Sequence, residues 1–137
     1  MELSEEMELL LDKAEEVVQQ RLKADDGFQT FALTMSADGD VSEETTNVGK
    51  DLGSAIGELL KVILPMVKRK ELVATLICCP IPPEQVANDG WQAAMFDIED
   101  QRHNRAYIVM PYRNRSYGGW EYRPLEFTCG APQIFPG

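Results

Sequence analysis

Leu3, Met7, Leu10, Leu11, Ala14, Val17, Val18 and Leu22 recur at spacings of three and four, one apolar stripe on a helix. The stripe predicts a helix over 4–23, with Ser4 as its cap and Glu5 and Glu6 at the end where the helix dipole favours negative charge. Asp25-Asp26-Gly27 stops it. In residues 28–36 the period drops towards two and the residues become β-branched and aromatic, so a strand follows, with Phe31, Leu33 and Met35 on one face. A turn at Ala37-Asp38-Gly39-Asp40 leads to a short return strand from Val41. The helical period returns in Val48, Leu52, Ile56, Leu59, Leu60 and Ile63, predicting a second helix from about 43 or 47 to 64, or on to 68 beyond Pro65. Gly49, Gly53 and Gly57 lie four apart on it, and the expected compensation for their weak helix propensity is close approach of another backbone, the sheet or a second subunit.

Residues 71–79, ELVATLICC, are apolar at successive positions, the pattern of a central strand covered on both faces. Pro80-Ile81-Pro82-Pro83 ends it in an extended loop, Pro83 to Val86 suits one helical turn, and Asn88-Asp89-Gly90 turns the chain. The runs 91–101 and 104–115 then form the hairpin around which the chain is organised. A two- or four-residue connection centred on Arg102-His103 would set Asp100 opposite Arg105, Phe96 opposite Val109 and Ile98 opposite Tyr107; an odd connection would change that register. After a turn at 116–119, a last strand over 120–128 is confined to a sheet edge by Pro124, and the tail 131–137 packs back irregularly. The order of elements predicts a single α+β domain over 1–137, two helices on one face of a mainly antiparallel sheet of four to six strands.

The chain has 137 residues, 44% hydrophobic and 26% charged, long enough for a core without metal or disulfide staples. Three cysteines make a poor disulfide framework, and buried reduced thiols are expected; adjacent Cys78 and Cys79 should point to opposite faces. With no basic leader-like start and no long apolar run, a soluble cytoplasmic protein off the membrane is expected. The formal net charge is −10, which argues against nucleic-acid phosphates as a partner. That charge is uneven: residues 1–26 hold nine acids and three bases, whereas residues 102–137 hold five arginines and two glutamates.

Catalytic motifs do not emerge. His103 is the one histidine and falls at a turn tip, a poor place to hold an imidazole against a cysteine or serine. A calcium loop starting at Asp38 would have Glu43 at its sixth position and Gly49 at its twelfth, where glycine and glutamate are needed. Phosphate-binding glycine loops, nucleophile elbows and zinc pairs are missing too. No catalytic residue, cofactor or metal is therefore assigned. An interaction surface is expected at Arg113, Arg115, Tyr117, Trp120, Tyr122 and Arg123, residue types enriched at the energetic centres of interfaces. The bland reading of the same residues is that the aromatics complete the core and the arginines pair with acids. An alternative polar site comprises Asp97, Glu99, Asp100 and His103, in a small-ligand-binding protein or enzyme with a site near the 91–113 hairpin. Carboxylates alternating along a strand are more often a solvated face.

Phe31-Ala32, the Asp38-Gly39 turn, Phe96-Asp97-Ile98-Glu99 and Met110-Pro111-Tyr112 give a layout that resembles small uncharacterised bacterial α+β proteins, some of them immunity proteins of polymorphic toxin systems. The resemblance covers most of the chain as a layout and brings no active-site residues. It implies a non-enzymatic acidic protein that blocks a basic partner by occupying its surface, an association that electrostatic steering would favour. A homodimer through the glycine-striped helix or the last edge strand is compatible with either reading.

Overall fold

The computed structural model describes residues 3–25, 27–45, 52–81, 91–114, 119–129 and 134. Along the chain these form α1 (Glu5–Asp25), β1 (Phe31–Ser36), β2 (Val41–Thr45), α2 (Leu52–Lys68), β3 (Leu72–Ile81), β4 (Gln92–Asp100), β5 (Arg105–Asn114), β6 (Trp120–Tyr122) and β7 (Glu126–Cys129). The strands make one sheet in the order β2-β1-β3-β4-β5-β6, with β7 also on β5. Every pairing is antiparallel. β6 meets β5 at Tyr112–Asn114 and β7 meets it at Ala106–Val109, so the two short strands share one edge position and the sheet is six strands wide. They are separate because Pro124, in the break between them, has no N–H for a ladder. The fold is α+β, with an antiparallel sheet and two helices.

The expected sharing of one face by the two helices is not what the structure has. α1 buries Met7, Leu10, Leu11, Ala14, Val18 and Leu22 against Phe31, Leu33, Met35, Leu76, Cys78, Phe96, Ile98 and Ile108. α2 buries Leu59, Ile63 and Val67 against Ala32, Ile77 and Cys79. Ala32 lies between Phe31 and Leu33 on β1, and Ile77 between Leu76 and Cys78 on β3, so the helices cover opposite faces. The cause is the double-sided apolar character of β1 and β3: residues 31–35 and 74–79 are buried without interruption, and one layer of helix would leave half of them wet. Cys78 and Cys79 accordingly point to opposite sides.

Local signals act as expected at the ends of elements. The Met7 amide donates to Ser4 Oγ at 3.4 Å, capping α1. α2 runs through Pro65 to Lys68 and ends in a Schellman arrangement: Lys70 N–H donates to Val67 C=O at 3.0 Å and Glu71 N–H to Met66 C=O at 3.0 Å. Lys70 takes the left-handed conformation there, φ 58°. Close approach of the sheet at the described α2 glycines is not found: a Cβ at Gly57 would meet nothing within 4 Å, and Gly53 is exposed. The sheet-facing side of α2 is that of Leu59, Ile63 and Val67. Gly49 lies outside the described residues, as do the expected features at 82–90, 115–118 and most of 131–137.

The central hairpin has the odd connection. Glu99 pairs with Arg105, Ile98 with Ala106, Asp97 with Tyr107 and Phe96 with Ile108, one residue from the even-loop register. Asp100 N–H donates to Asn104 C=O at 3.1 Å and His103 N–H to Asp100 C=O at 3.1 Å, leaving a three-residue loop, Gln101 to His103. His103 supplies the left-handed third position, φ 67°. The β1–β2 turn repeats the device with Gly39 at φ 88°, Ser36 N–H donating to Asp40 C=O and Gly39 N–H to Ser36 C=O, both at 2.9 Å.

Candidate functional site

Strand alternation divides the predicted Arg/aromatic surface between the two faces of the sheet. Trp120 packs towards α1: its indole N–H donates to the Leu22 carbonyl at 3.0 Å, and its ring meets Tyr112 edge-on with centroids 5.7 Å apart. The Leu22 carbonyl lies in the last turn of α1, where acceptors lose their helical partners, so Trp120 fastens that end of the helix to the sheet. Tyr122 is half-buried against the same core. Arg113 and Arg123 take the other side, their guanidinium carbons 4.5 and 3.9 Å from the ring centroid of buried Trp91. Arg113 also pairs with Glu121 at 2.5 Å. Arg115 and Tyr117 lie outside the described residues. The aromatics thus join the core and the two described arginines stack on Trp91.

The alternative polar set is likewise divided. Asp97 and Glu99 share the α2-side face, where Arg105 meets them. Arg105 Nε and Nη2 donate to the two oxygens of Asp97 at 3.0 and 2.8 Å, a bidentate pair, and Arg105 Nε lies 3.9 Å from Glu99. The side chains are 7% exposed for Arg105, 17% for Asp97 and 1% for Glu99. The hydrogen bond to Asp97 holds the guanidinium pKa above its ordinary value. Glu99 also accepts the Ile134 amide on both oxygens at 3.0 Å, which fastens buried Ile134 from the C-terminal tail over this face. Asp100 serves the loop instead, accepting from the backbone amides of Arg102 and Asn104 and from Asn104 Nδ2, each at 3.0 Å. Burial pushes its carboxyl up, but hydrogen bonds from the Asn104 and Ser4 side chains and the two amides outweigh that and leave it below its usual value. His103 is exposed at the loop tip. These carboxylates act on a guanidinium and on backbone amides, and the sequence reading missed Arg105 as their centre because the hairpin register was one residue away.

The thiols of Cys78 and Cys79 are core groups. Burial raises Cys78 well above the ordinary cysteine value and Cys79 to about 11, against the pull of a Thr30 hydrogen bond at Cys79. Thiol at neutral pH is a poor nucleophile. Among the described residues no group of three or more His, Cys, Asp or Glu is placed to hold a metal ion, and no helix is long and apolar enough to cross a membrane.

The acidic surface is the arrangement that remains exposed. On α1, Glu5, Glu8, Asp12 and Glu16 are all exposed and follow one another by three, four and four residues, a single row roughly 16 Å long at 1.5 Å per residue. Glu15, beside it, is raised by burial and by the Asp12 charge. A second acidic region surrounds the β1–β2 hairpin. A groove of about 350 Å³ there is lined by Thr34, Ser36, Asp38, Asp40, Ser42, Glu44, Met66, Glu71 and Leu72. Arg21 and Glu43 form an ion pair on the α1 side of β2. Comparison of the chain with protein-family models, curated proteins and solved structures found no match.

Proposed function

We propose that this chain is a non-enzymatic, immunity-like interaction domain whose acidic surface binds a basic protein partner. The supporting observation is the row Glu5-Glu8-Asp12-Glu16. Like charges three and four residues apart on a helix destabilise it by about 0.2–0.5 kcal/mol a pair, a penalty that opposite charge on a partner would reverse. The net charge of −10 supplies the long-range field for steering such a partner. The hairpin carboxylates do not compete for this role, because Asp97 and Glu99 are turned to Arg105 and Ile134 and Asp100 to its own loop.

The test begins with native mass spectrometry of the protein isolated from its own cells at low salt, which identifies any bound protein by mass. Binding of that protein is then measured against salt for the wild type and for the fourfold variant Glu5→Lys, Glu8→Lys, Asp12→Lys, Glu16→Lys. The proposal expects binding that weakens with salt and a shallower salt dependence in the variant. A partner indifferent to both, or a small bound mass in place of a protein, refutes it.

A further inference from the structure

We propose that the outer edge of β2 is a strand-addition site for an extended basic segment of the partner, whose alternate Lys or Arg side chains enter the groove beside it. The inference rests on the interaction-domain reading and adds the place and mode of docking.

β2 is the first strand of the sheet, and among the described residues no strand pairs with its outer edge. The Ser36–Asp40 hydrogen bond fixes the ladder phase: Asp40, Ser42 and Glu44 turn their backbone groups to β1, and Val41, Glu43 and Thr45 turn theirs outward. Three amides and three carbonyls are thereby presented in the geometry of an antiparallel or parallel neighbour. The other edge of the sheet is unsuited to the same use, since β6 and β7 are short and separated around Pro124.

Side-chain chemistry selects the occupant. Ser42 and Glu44 point to the α2 side, into the groove whose remaining walls include Asp38, Asp40, Glu71, Met66 and Leu72. Asp38, Asp40 and Glu44 have no ion-pair partner among the described residues, whereas Glu71 is held by Arg69 at 2.6 Å. A lysine or arginine on an added strand would lie beside Ser42 and Glu44 on the α2 side and bring its charge to the carboxylates of Asp40 and Glu44 at the rim of the groove. A second copy of this chain is the disfavoured occupant. β2 reads VSEET, so a two-fold antiparallel pairing centred on Glu43 sets Glu43 against its own counterpart, and like charges across a strand pair repel. The acids that bar self-association leave the edge open to strands of the opposite charge.

The probe is a capped, fluorescein-labelled peptide of alternating Lys and Thr, with a twin N-methylated at every second residue and a Glu-Thr counterpart. Each is titrated into the intact chain at low salt by fluorescence anisotropy, and amide exchange is followed by NMR. The expected result is binding of the Lys-Thr peptide at least about tenfold tighter than of its methylated twin, with the amides of Val41, Glu43 and Thr45 gaining protection. The double variant Asp40→Lys, Glu44→Lys, its amide spectrum otherwise unchanged, should bind about tenfold more weakly or worse. Equal binding of the methylated twin without protection at those amides overturns strand addition while leaving an acidic binding surface in place. Failure of all three peptides to bind overturns the proposal, and the α1 charge-reversal test then judges the broader reading separately. A concentration-dependent dimer protected at the same amides overturns it in favour of a second copy.

Discussion

Arg105→Met is the substitution that the buried polar cluster makes most informative. Methionine keeps most of the aliphatic stem that packs in the sheet while removing the guanidinium. Two hydrogen bonds to Asp97, 3.0 and 2.8 Å long, disappear, and charged hydrogen bonds contribute about 1.5–3 kcal/mol each. Glu99, 1% exposed and 3.9 Å from Arg105, loses the nearby cation without a compensating gain of water. Asp97 at 17% can recover some hydration, which places the expected loss at about 3–5 kcal/mol, the range for breaking a buried pair by removing one partner. Against a total stability of about 5–15 kcal/mol for a domain, this is about a fifth of the total or more. Urea unfolding at pH 7, followed by circular dichroism with the denaturant slope held constant, measures it. A double-mutant cycle with Asp97→Leu should give a coupling of about 1–3 kcal/mol, because the paired replacement removes the uncompensated carboxylate. A loss below about 1 kcal/mol for Arg105→Met would refute the burial argument.

The Asp100 loop supplies a pH-dependent counterpart. Its carboxyl is lower in the folded chain than in the unfolded one, so its contribution is fully present above about pH 4 and disappears as pH falls through the lower folded value. Asp100→Ala should therefore lower stability by about 1–3 kcal/mol at pH 7, with the gap from wild type closing on acidification; a gap that widens in urea titrations at low pH would contradict the assignment. At the two left-handed positions the prediction has the opposite sign. His103→Gly and Lys70→Gly should each raise stability by about 0.5–1 kcal/mol, strain relief exceeding the added freedom of the unfolded chain, and an unchanged or lower thermal midpoint would count against it.

What the sequence determined by itself was local. The stripe from Met7 to Leu22 placed α1 and its acid row, the Asp38-Gly39 turn placed the β1–β2 hairpin, and the unbroken apolar run marked β3 as central. Each of these depends on residues within a turn or two of one another, where periodicity and capping chemistry are sufficient. The tertiary structure decided the rest. Both β1 and β3 are apolar on two sides, so nothing in their pattern tells which helix covers which face; the division of α1 and α2 between the faces follows from burying both at once. The hairpin register hung on one left-handed residue, His103, and its shift by one turned Arg105 from an expected partner of Asp100 into the partner of Asp97. Alternation along β6 sent Trp120 to the core and left Glu121 beside Arg113, and the groove at β2 exists only because Met66, Glu71 and Leu72 are brought there from the end of α2 and the start of β3. A side chain's neighbours across a sheet are chosen by packing between segments distant in sequence, and local pattern carries no record of that choice.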